Sequence, residues 1–432
     1  MKRKIEEVLL QWNSKEKPLP LMLLGARQTG KTYILEKFCK DNFENIIHLN
    51  FFENAEYMSL FQPSLAADTI LKNMELYFAQ KIDIEKTIFF FDEIQECEQA
   101  ISSLKFFAES PLPFKIVTAG SLLGVKINRM KTPFPVGKVQ MEYLDPMDFE
   151  EFLWATGNTV LADAIKEHFY SNASFPEIIH NQAIDLYKQY LCIGGMPASI
   201  NDFVEKNKDL VLANIAIKDN ILTGYLADMI KYAENVNAVK IHQVYRTMPA
   251  QLAKKQTKFM YKTVEQGSNA EKYYAAVEWL IEANMVLRCN LLNKVEPPLK
   301  AYEVENFFKL YLSDVGLLTT LAKIKYSEIM QAGNATFLGF LTENYVAQAF
   351  VANKIDLHYW NSGNKAEIDY VLPTAEGLIP VEVKSNRNVS SKSLNVYIEK
   401  FKPKYAIRIS AKNFGFENDI KSVPLYAAFC IC

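Results

Sequence analysis

Residues 25–32 read Gly25-Ala26-Arg27-Gln28-Thr29-Gly30-Lys31-Thr32, two glycines with four residues between them, followed by Lys and Thr. Each residue type in this pattern has a physical task. Gly25 and Gly30 let the backbone curl until successive N–H groups face one point, and the helix that follows turns its positive N-terminus to the same place. Such a cradle suits the β- and γ-phosphates of a nucleotide. Ala26, Arg27, Gln28 and Thr29 contribute loop backbone, Lys31 adds a positive charge, and Thr32 supplies a hydroxyl of the kind that binds Mg2+.

The flanking sequence has the order such a loop requires. Leu21-Met22-Leu23-Leu24 is a short apolar run of buried-strand type, and Tyr33 to Phe38 has helical spacing. A second buried-strand run, Thr87-Ile88-Phe89-Phe90-Phe91, ends in Asp92-Glu93. At the carboxyl end of a parallel strand, Asp92 is placed to hold Mg2+ through water and Glu93 to orient the water that attacks a γ-phosphate. The alternative is an apolar strand meeting a solvated acidic turn. Strands over 46–51 and 114–119 complete a parallel sheet. Ser121, just past the latter, is either a γ-phosphate sensor between the two motif strands or an ordinary helix N-cap.

The chain has 432 residues, 49% hydrophobic and 23% charged, an ordinary globular balance that is long enough for roughly two to four domains. A formal net charge of -2 means that any affinity for nucleic acid must come from local basic patches. Neither the six cysteines nor the five histidines cluster at zinc-ligand spacing. Cys430 and Cys432 read as reduced thiols at a strand end, with pairing or metal binding as the alternative. No apolar run is long enough to span a membrane, and Glu6 and Glu7 interrupt any signal-peptide core after Met1-Lys2-Arg3-Lys4. A soluble cytoplasmic protein with no membrane partner is expected.

Along the chain, 1–150 carries α/β alternation and 151–230 reads as a helical lid. Asp148 to Leu153 opens one helix, and another, containing Leu186 to Cys192, stops at Gly194-Gly195-Met196-Pro197. Residues 231–315 read as a winged-helix segment: helices over Val239 to Ala253 and Glu271 to Met285, then strands over Val286 to Leu292 and Lys300 to Val304. Tyr273 falls on an apolar helix face and is assigned to packing. Lys254, Lys255, Lys258 and Lys262, without an intervening acid, form either a phosphate-backbone patch or a solvated turn. A weak linker through Gly333 leads to a separate α/β unit over 335–432.

That last unit holds a second candidate site. Asp369 lies on one strand of an expected hairpin, and Glu382-Val383-Lys384 on the other puts Glu382 and Lys384 on one face. Glu343 lies on an upstream helix, Phe340 to Val351. Asp369 and Glu382 with the Val383 carbonyl could hold Mg2+, with Lys384 steadying a hydroxide for attack on a phosphodiester. From Lys384 to Lys412 there are eight Lys or Arg and one acid, Glu399, which favours a polyanion. The alternative is a solvated hairpin with salt-bridged charges.

Taken together these residues resemble a bacterial and archaeal ATPase family in which an AAA-type P-loop domain is fused to a C-terminal domain of unknown function with a restriction-endonuclease-like fold. The resemblance rests on Gly25 to Thr32, Phe91-Asp92-Glu93-Ile94-Gln95, Ala119-Gly120-Ser121, Tyr190 to Pro197, Tyr311 to Leu318, Gly339 to Val346, Trp360-Asn361-Ser362-Gly363, Glu367-Ile368-Asp369 and Val381 to Lys384. It implies ATP binding, a central winged helix and a PD-(D/E)xK-like fold at the end. Members commonly carry Gly-Arg where this chain has Gly137-Lys138; Lys keeps the charge but loses the bidentate fork.

The expected function is a Mg2+-dependent ATPase whose nucleotide state acts on a nuclease-like, DNA-interacting domain. The alternatives are an ATP-gated endonuclease using Glu343, Asp369, Glu382 and Lys384, and a non-cleaving ATP switch or scaffold. Expected cofactors are ATP and Mg2+, with DNA and further copies of the chain as candidate partners.

Overall fold

The computed structural model describes residues 1–121, 130, 132–232, 235–254, 258–331, 336–363, 366–387 and 392–432; Lys255 and Gly333 lie outside them. Two compact units form, one of residues 2–145 with 282–284, the other of 146–281 with 285–432.

The first unit is an α/β layer around five parallel strands: β1 (Leu21–Leu24), β2 (Asn45–Asn50), β3 (Thr87–Asp92), β4 (Lys115–Ala119) and β5 (Gln140–Tyr143). Their order is β2-β3-β4-β1-β5, and all four pairings are parallel. Strand alternation explains why β1 and the Ile88–Phe91 stretch of β3 are apolar at every position. Leu21 and Leu23 pack with Ile88, Phe90, Ile34 and Phe38 on one face. Met22 and Leu24 pack with Phe89, Phe91, Ile101 and Leu104 on the other. A sheet covered on both faces has no polar side to present. The carboxyl ends of β1, β3 and β4 meet at one edge, with β4 between the two motif strands as expected.

β5 was not anticipated. Its residues alternate between half-buried and exposed, so this edge strand lacks the apolar run that marks the inner ones.

The second unit begins in helices: Phe149–Ala155, Thr159–Ser171, Glu177–Ile193, Pro197–Glu205 and Ala216–Tyr232. Asp148 accepts from Glu151 N and the Glu151 carboxylate accepts from Asp148 N, a capping box that starts the first of them. Gly194, at φ +80°, ends the Glu177–Ile193 helix, and Pro197 opens the next at its first turn. A Cβ on Gly195 would stand 2.1 Å from Met147 O. Its amide donates instead to the buried Asp314 at 2.6 Å.

The helices Asn235–Ala253 and Ala270–Glu282 lead to β6 (Val286–Leu292) and β7 (Glu303–Leu312). Tyr273 is fully buried, in keeping with its packing role. The expected strand at Lys300 to Val304 is displaced: Leu299–Tyr302 is a tight helical turn, and β7 continues to Leu312.

Nor do β6 and β7 stand as an independent wing. β6 pairs in parallel with β8 (His358–Asn361), which pairs with β9 (Glu367–Ile368), giving the order β7-β6-β8-β9. A second sheet runs β10-β11-β12-β14-β13, from β10 (Tyr370–Thr374), β11 (Gly377–Val383), β12 (Ala406–Ser410), β13 (Gly415–Glu417) and β14 (Ile420–Pro424). The helix Lys392–Phe401 makes the crossover that parallel β11 and β12 require. The strands β8 and β9 therefore share a sheet with β6 and β7, while β10 to β14 form a sheet of their own.

All six cysteines are among the described residues, and none of them forms a disulfide. Cys430 closes a tight helical turn, Leu425–Cys430, where a strand end was expected.

Candidate functional site

The P-loop follows β1. Gly25 has φ +140°, and a Cβ there would lie 2.3 Å from Leu144 O, so both conformation and space require glycine. Gln28 (φ 65°) and Gly30 (φ 92°) continue the curl, and Gly30 is the N-cap of the helix Lys31–Asn42. Lys31 Nζ lies within the loop, donating to Gly25 O at 3.1 Å and Ala26 O at 2.7 Å. Thr29 Oγ1 donates to Ala26 O at 3.0 Å, while Arg27 is exposed.

Beneath the loop, Thr32 Oγ1 donates to Asp92 Oδ1 at 3.1 Å. The other Asp92 oxygen accepts from Asn50 Nδ2 at 3.3 Å, and His48 Nε2 lies 3.8 Å from it. Glu93 adopts the left-handed conformation at φ +49°, its amide donates to Asp92 Oδ1 at 3.0 Å, and Gln95 Nε2 donates to its carboxylate at 2.5 Å. A non-glycine residue in this region costs on the order of 1 kcal/mol and is met at functional turns. Ser121 is half-buried just past β4.

Thr32 and Asp92 thus present hard oxygen donors at one point, a set that suits Mg2+.

Several residues escaped sequence reasoning. Asn50 pairs in register with Asp92; a polar residue closing an apolar strand at the phosphate edge was the available signal. His48 stacks on Phe90 with ring centroids 4.4 Å apart. Arg3, read as part of a basic start, is buried and donates to Thr29 O at 3.0 Å and Asp145 O at 2.7 Å. Nothing local marks that role. Lys138 is ion-paired with Glu109 at 3.0 Å.

In the second unit a cleft of about 300 Å³ is lined by Glu343, Asp369, Lys384, Lys258, Lys309 and Glu367, among others. Glu343 comes from the helix Thr336–Ala352. Asp369 follows β9, and one of its oxygens accepts from Val383 N at 2.7 Å. Glu382 does not line the cleft: it is buried, with Lys384 Nζ 3.1 Å from Oε1 and Arg408 Nε 4.0 Å from Oε2.

Lys309 and Glu367 were missed. Lys309 and Tyr311 share one face of β7. Lys309 Nζ stands 3.0 Å from Glu343 Oε1 and 2.7 Å from Glu367 Oε1, and Tyr311 donates to the same Glu343 oxygen at 2.5 Å.

Burial alone would discharge Lys309, but the charges of Glu343, Glu367 and Asp369 hold its pKa well above the ordinary lysine value. Burial likewise raises Glu343, yet Lys309 and the Tyr311 hydrogen bond outweigh it and hold the carboxyl below its usual range. Asp369 goes the other way, pushed up to about 7 by burial and then by the Glu343 charge.

The basic stretch is partly compensated. Arg387 pairs with Glu177 at 2.8 Å and Lys404 with Glu376 at 2.7 Å. Among the described residues, no helix is long and apolar enough to cross a membrane.

Comparison with known proteins divides the chain in three. Residues 17–153 match the model of an AAA domain. Residues 184–328 match a domain of unknown function (DUF8612), and residues 338–428 another (DUF4143). No curated protein matches the chain. Among solved structures, the Aeropyrum pernix ORC2 protein in ADPNP-ADP complexes is similar at 12% identity and TM-score 0.36, covering 76% of this chain and 92% of that one. Drosophila ORC bound to DNA is similar at 13% identity and TM-score 0.28, covering 74% and 93%. Cdc6p from Pyrobaculum aerophilum is similar at 13% identity and TM-score 0.25, covering 77% and 95%. With the β2-β3-β4-β1-β5 sheet and the loop Gly25 to Thr32 at its edge, residues 17–153, which are similar to an AAA domain, have the P-loop NTPase fold.

Proposed function

We propose that the chain binds and hydrolyses ATP with Mg2+ at its P-loop, and that nucleotide state acts on the second unit. The observation that carries this reading is the contact between Thr32 and Asp92 at 3.1 Å below the loop that holds Lys31. When bound, Mg2+ would offset charge on the β- and γ-phosphates. Thr32 and Asp92 are the residues to hold it. The loop backbone from Gly25 to Gly30 and Lys31 bind the phosphates, Glu93 orients the attacking water, and Ser121 senses the γ-phosphate. Turnover measured with Glu93→Gln tests the assignment: loss by roughly 10²- to 10⁴-fold with ATP binding retained is expected, and unchanged turnover contradicts it.

For the second unit we propose a nuclease-like fold whose cleft contacts DNA through Lys258 and Lys384 without cutting it, a switch rather than an endonuclease. The ion pairs of Lys309 with Glu343 and Glu367 favour this reading over ATP-gated cleavage. Plasmid incubated with Mg2+ or Mn2+, with and without ATP, should stay intact. Nicking that Lys384→Ala abolishes would restore the endonuclease reading.

A further inference from the structure

The carboxylates of the second cleft, and Glu382 beside it, are engaged by donors of the same chain. Glu343 Oε1 meets both Lys309 Nζ and the Tyr311 hydroxyl, Glu367 Oε1 meets Lys309 Nζ, one Asp369 oxygen accepts from Val383 N, and Glu382 Oε1 meets Lys384. Among the described residues, no group of three or more His, Cys, Asp or Glu is arranged to hold a metal ion. A hard divalent cation needs several oxygens converging at roughly 2.0–2.6 Å on one point. Between Glu343 and Glu367 that point holds an ammonium, and Glu382 lies outside the cleft lining. The residues therefore do not fit the Mg2+ that the Asp369 and Glu382 pattern implied.

We propose that Lys309 is the resident cation of this cleft, standing where a metal-dependent phosphodiesterase would carry its ion, so that the folded chain takes up no divalent metal there. The proposal deepens the non-cleaving reading above and rests on it. Geometry holds the lysine in place: it lies on β7, the edge strand paired with β6, yet is only 8% exposed, and has its ammonium 5.2 Å from the centre of the Tyr359 ring. Its removal has a specific consequence. Glu343 and Glu367 would face each other with Asp369 beside them, and like charges in a confined cleft raise one another's energy. A divalent cation relieves that repulsion, so replacing Lys309 by a neutral side chain of similar length should turn an ion-paired cluster into a metal site.

The test is Mn2+ titration of the full-length chain carrying Asp92→Asn, without nucleotide, followed by the free-ion electron paramagnetic resonance signal and by thermal melting. With Lys309 present, no stoichiometric uptake is expected. Adding Lys309→Met should create one Mn2+ site per chain and a melting point that rises with Mn2+, and adding Glu343→Gln should remove both. Lys309→Gln serves as the second variant if Lys309→Met does not melt cooperatively. Stoichiometric uptake by the Lys309-bearing chain that Glu343→Gln removes would overturn the proposal, as would folded Lys309 variants that gain no site. DNA binding unaffected by EDTA supports the non-cleaving reading. Absence of DNA binding fails that reading alone, because the Mn2+ titration reports on Lys309 without DNA.

Discussion

Thr32 Oγ1 donates to Asp92 Oδ1 across 3.1 Å, tying the first turn of the P-loop helix to the end of β3. The same carboxylate receives Asn50 Nδ2 and the Glu93 amide. Three elements are therefore held in register around one buried side chain. Such preorganisation lowers the entropy cost of closing a cation site. Asp92→Ala should leave these donors unpaired and destabilise the first unit by about 1–3 kcal/mol, read as a lower denaturant midpoint; Asp92→Asn should keep most of the stability while losing Mg2+-dependent turnover.

Gly195→Ala is expected to be costly although it adds one carbon. The new methyl would stand 2.1 Å from Met147 O, and a shift of the Gly195 backbone to relieve it would strain the hydrogen bond that its N–H donates to Asp314. A loss of about 1–3 kcal/mol or more should appear in chemical denaturation. An unchanged midpoint would mean that the Gly-Gly-Met-Pro turn is not packed as described.

Asp369 gives a pH signature. Its folded pKa of about 7 lies above the unfolded value near 3.9, so the folded state binds more protons between those values and loses stability as pH rises through them. Glu343, held below its usual range, acts only at more acid pH. The melting difference between Asp369→Asn and the parent should therefore be more positive at pH 8 than at pH 5. An equal difference at both would contradict the shift.

If the second cleft contacts a phosphate backbone, affinity for duplex DNA should fall steeply with salt, and Lys258→Ala and Lys384→Ala should each reduce the slope of log K against log salt by about 1. Slopes equal to that of the parent would place the contact elsewhere.

The P-loop and Walker-type strands were legible because their signals are local: glycines that permit positive φ, and apolar runs that mark strands buried on both faces. β5 was not, since an edge strand needs no such run. Arg3 donates to Thr29 O of the P-loop, 26 positions away, and to Asp145 O, 142 positions away, and no neighbouring residue advertises that. Lys309 lies past Val304, where the sequence pattern ends the expected strand, on a β7 that runs to Leu312. A lone lysine in Phe307-Phe308-Lys309-Leu310-Tyr311-Leu312 was the available sign of a buried ion pair, but its partners Glu343 and Glu367 come from a distant helix and strand. The shared sheet of β6 and β8 was hidden likewise, because parallel pairing depends on long crossovers that periodicity does not report.

The central claim is nucleotide binding at Gly25 to Thr32, and the most direct measurement is thermal or chemical unfolding of the full-length chain with and without ATP and Mg2+. At about a hundredfold excess over Kd, ATP should raise stability by roughly 2.7 kcal/mol, and Lys31→Ala should abolish the rise. No rise in the parent chain, or an equal rise in Lys31→Ala, would contradict the account.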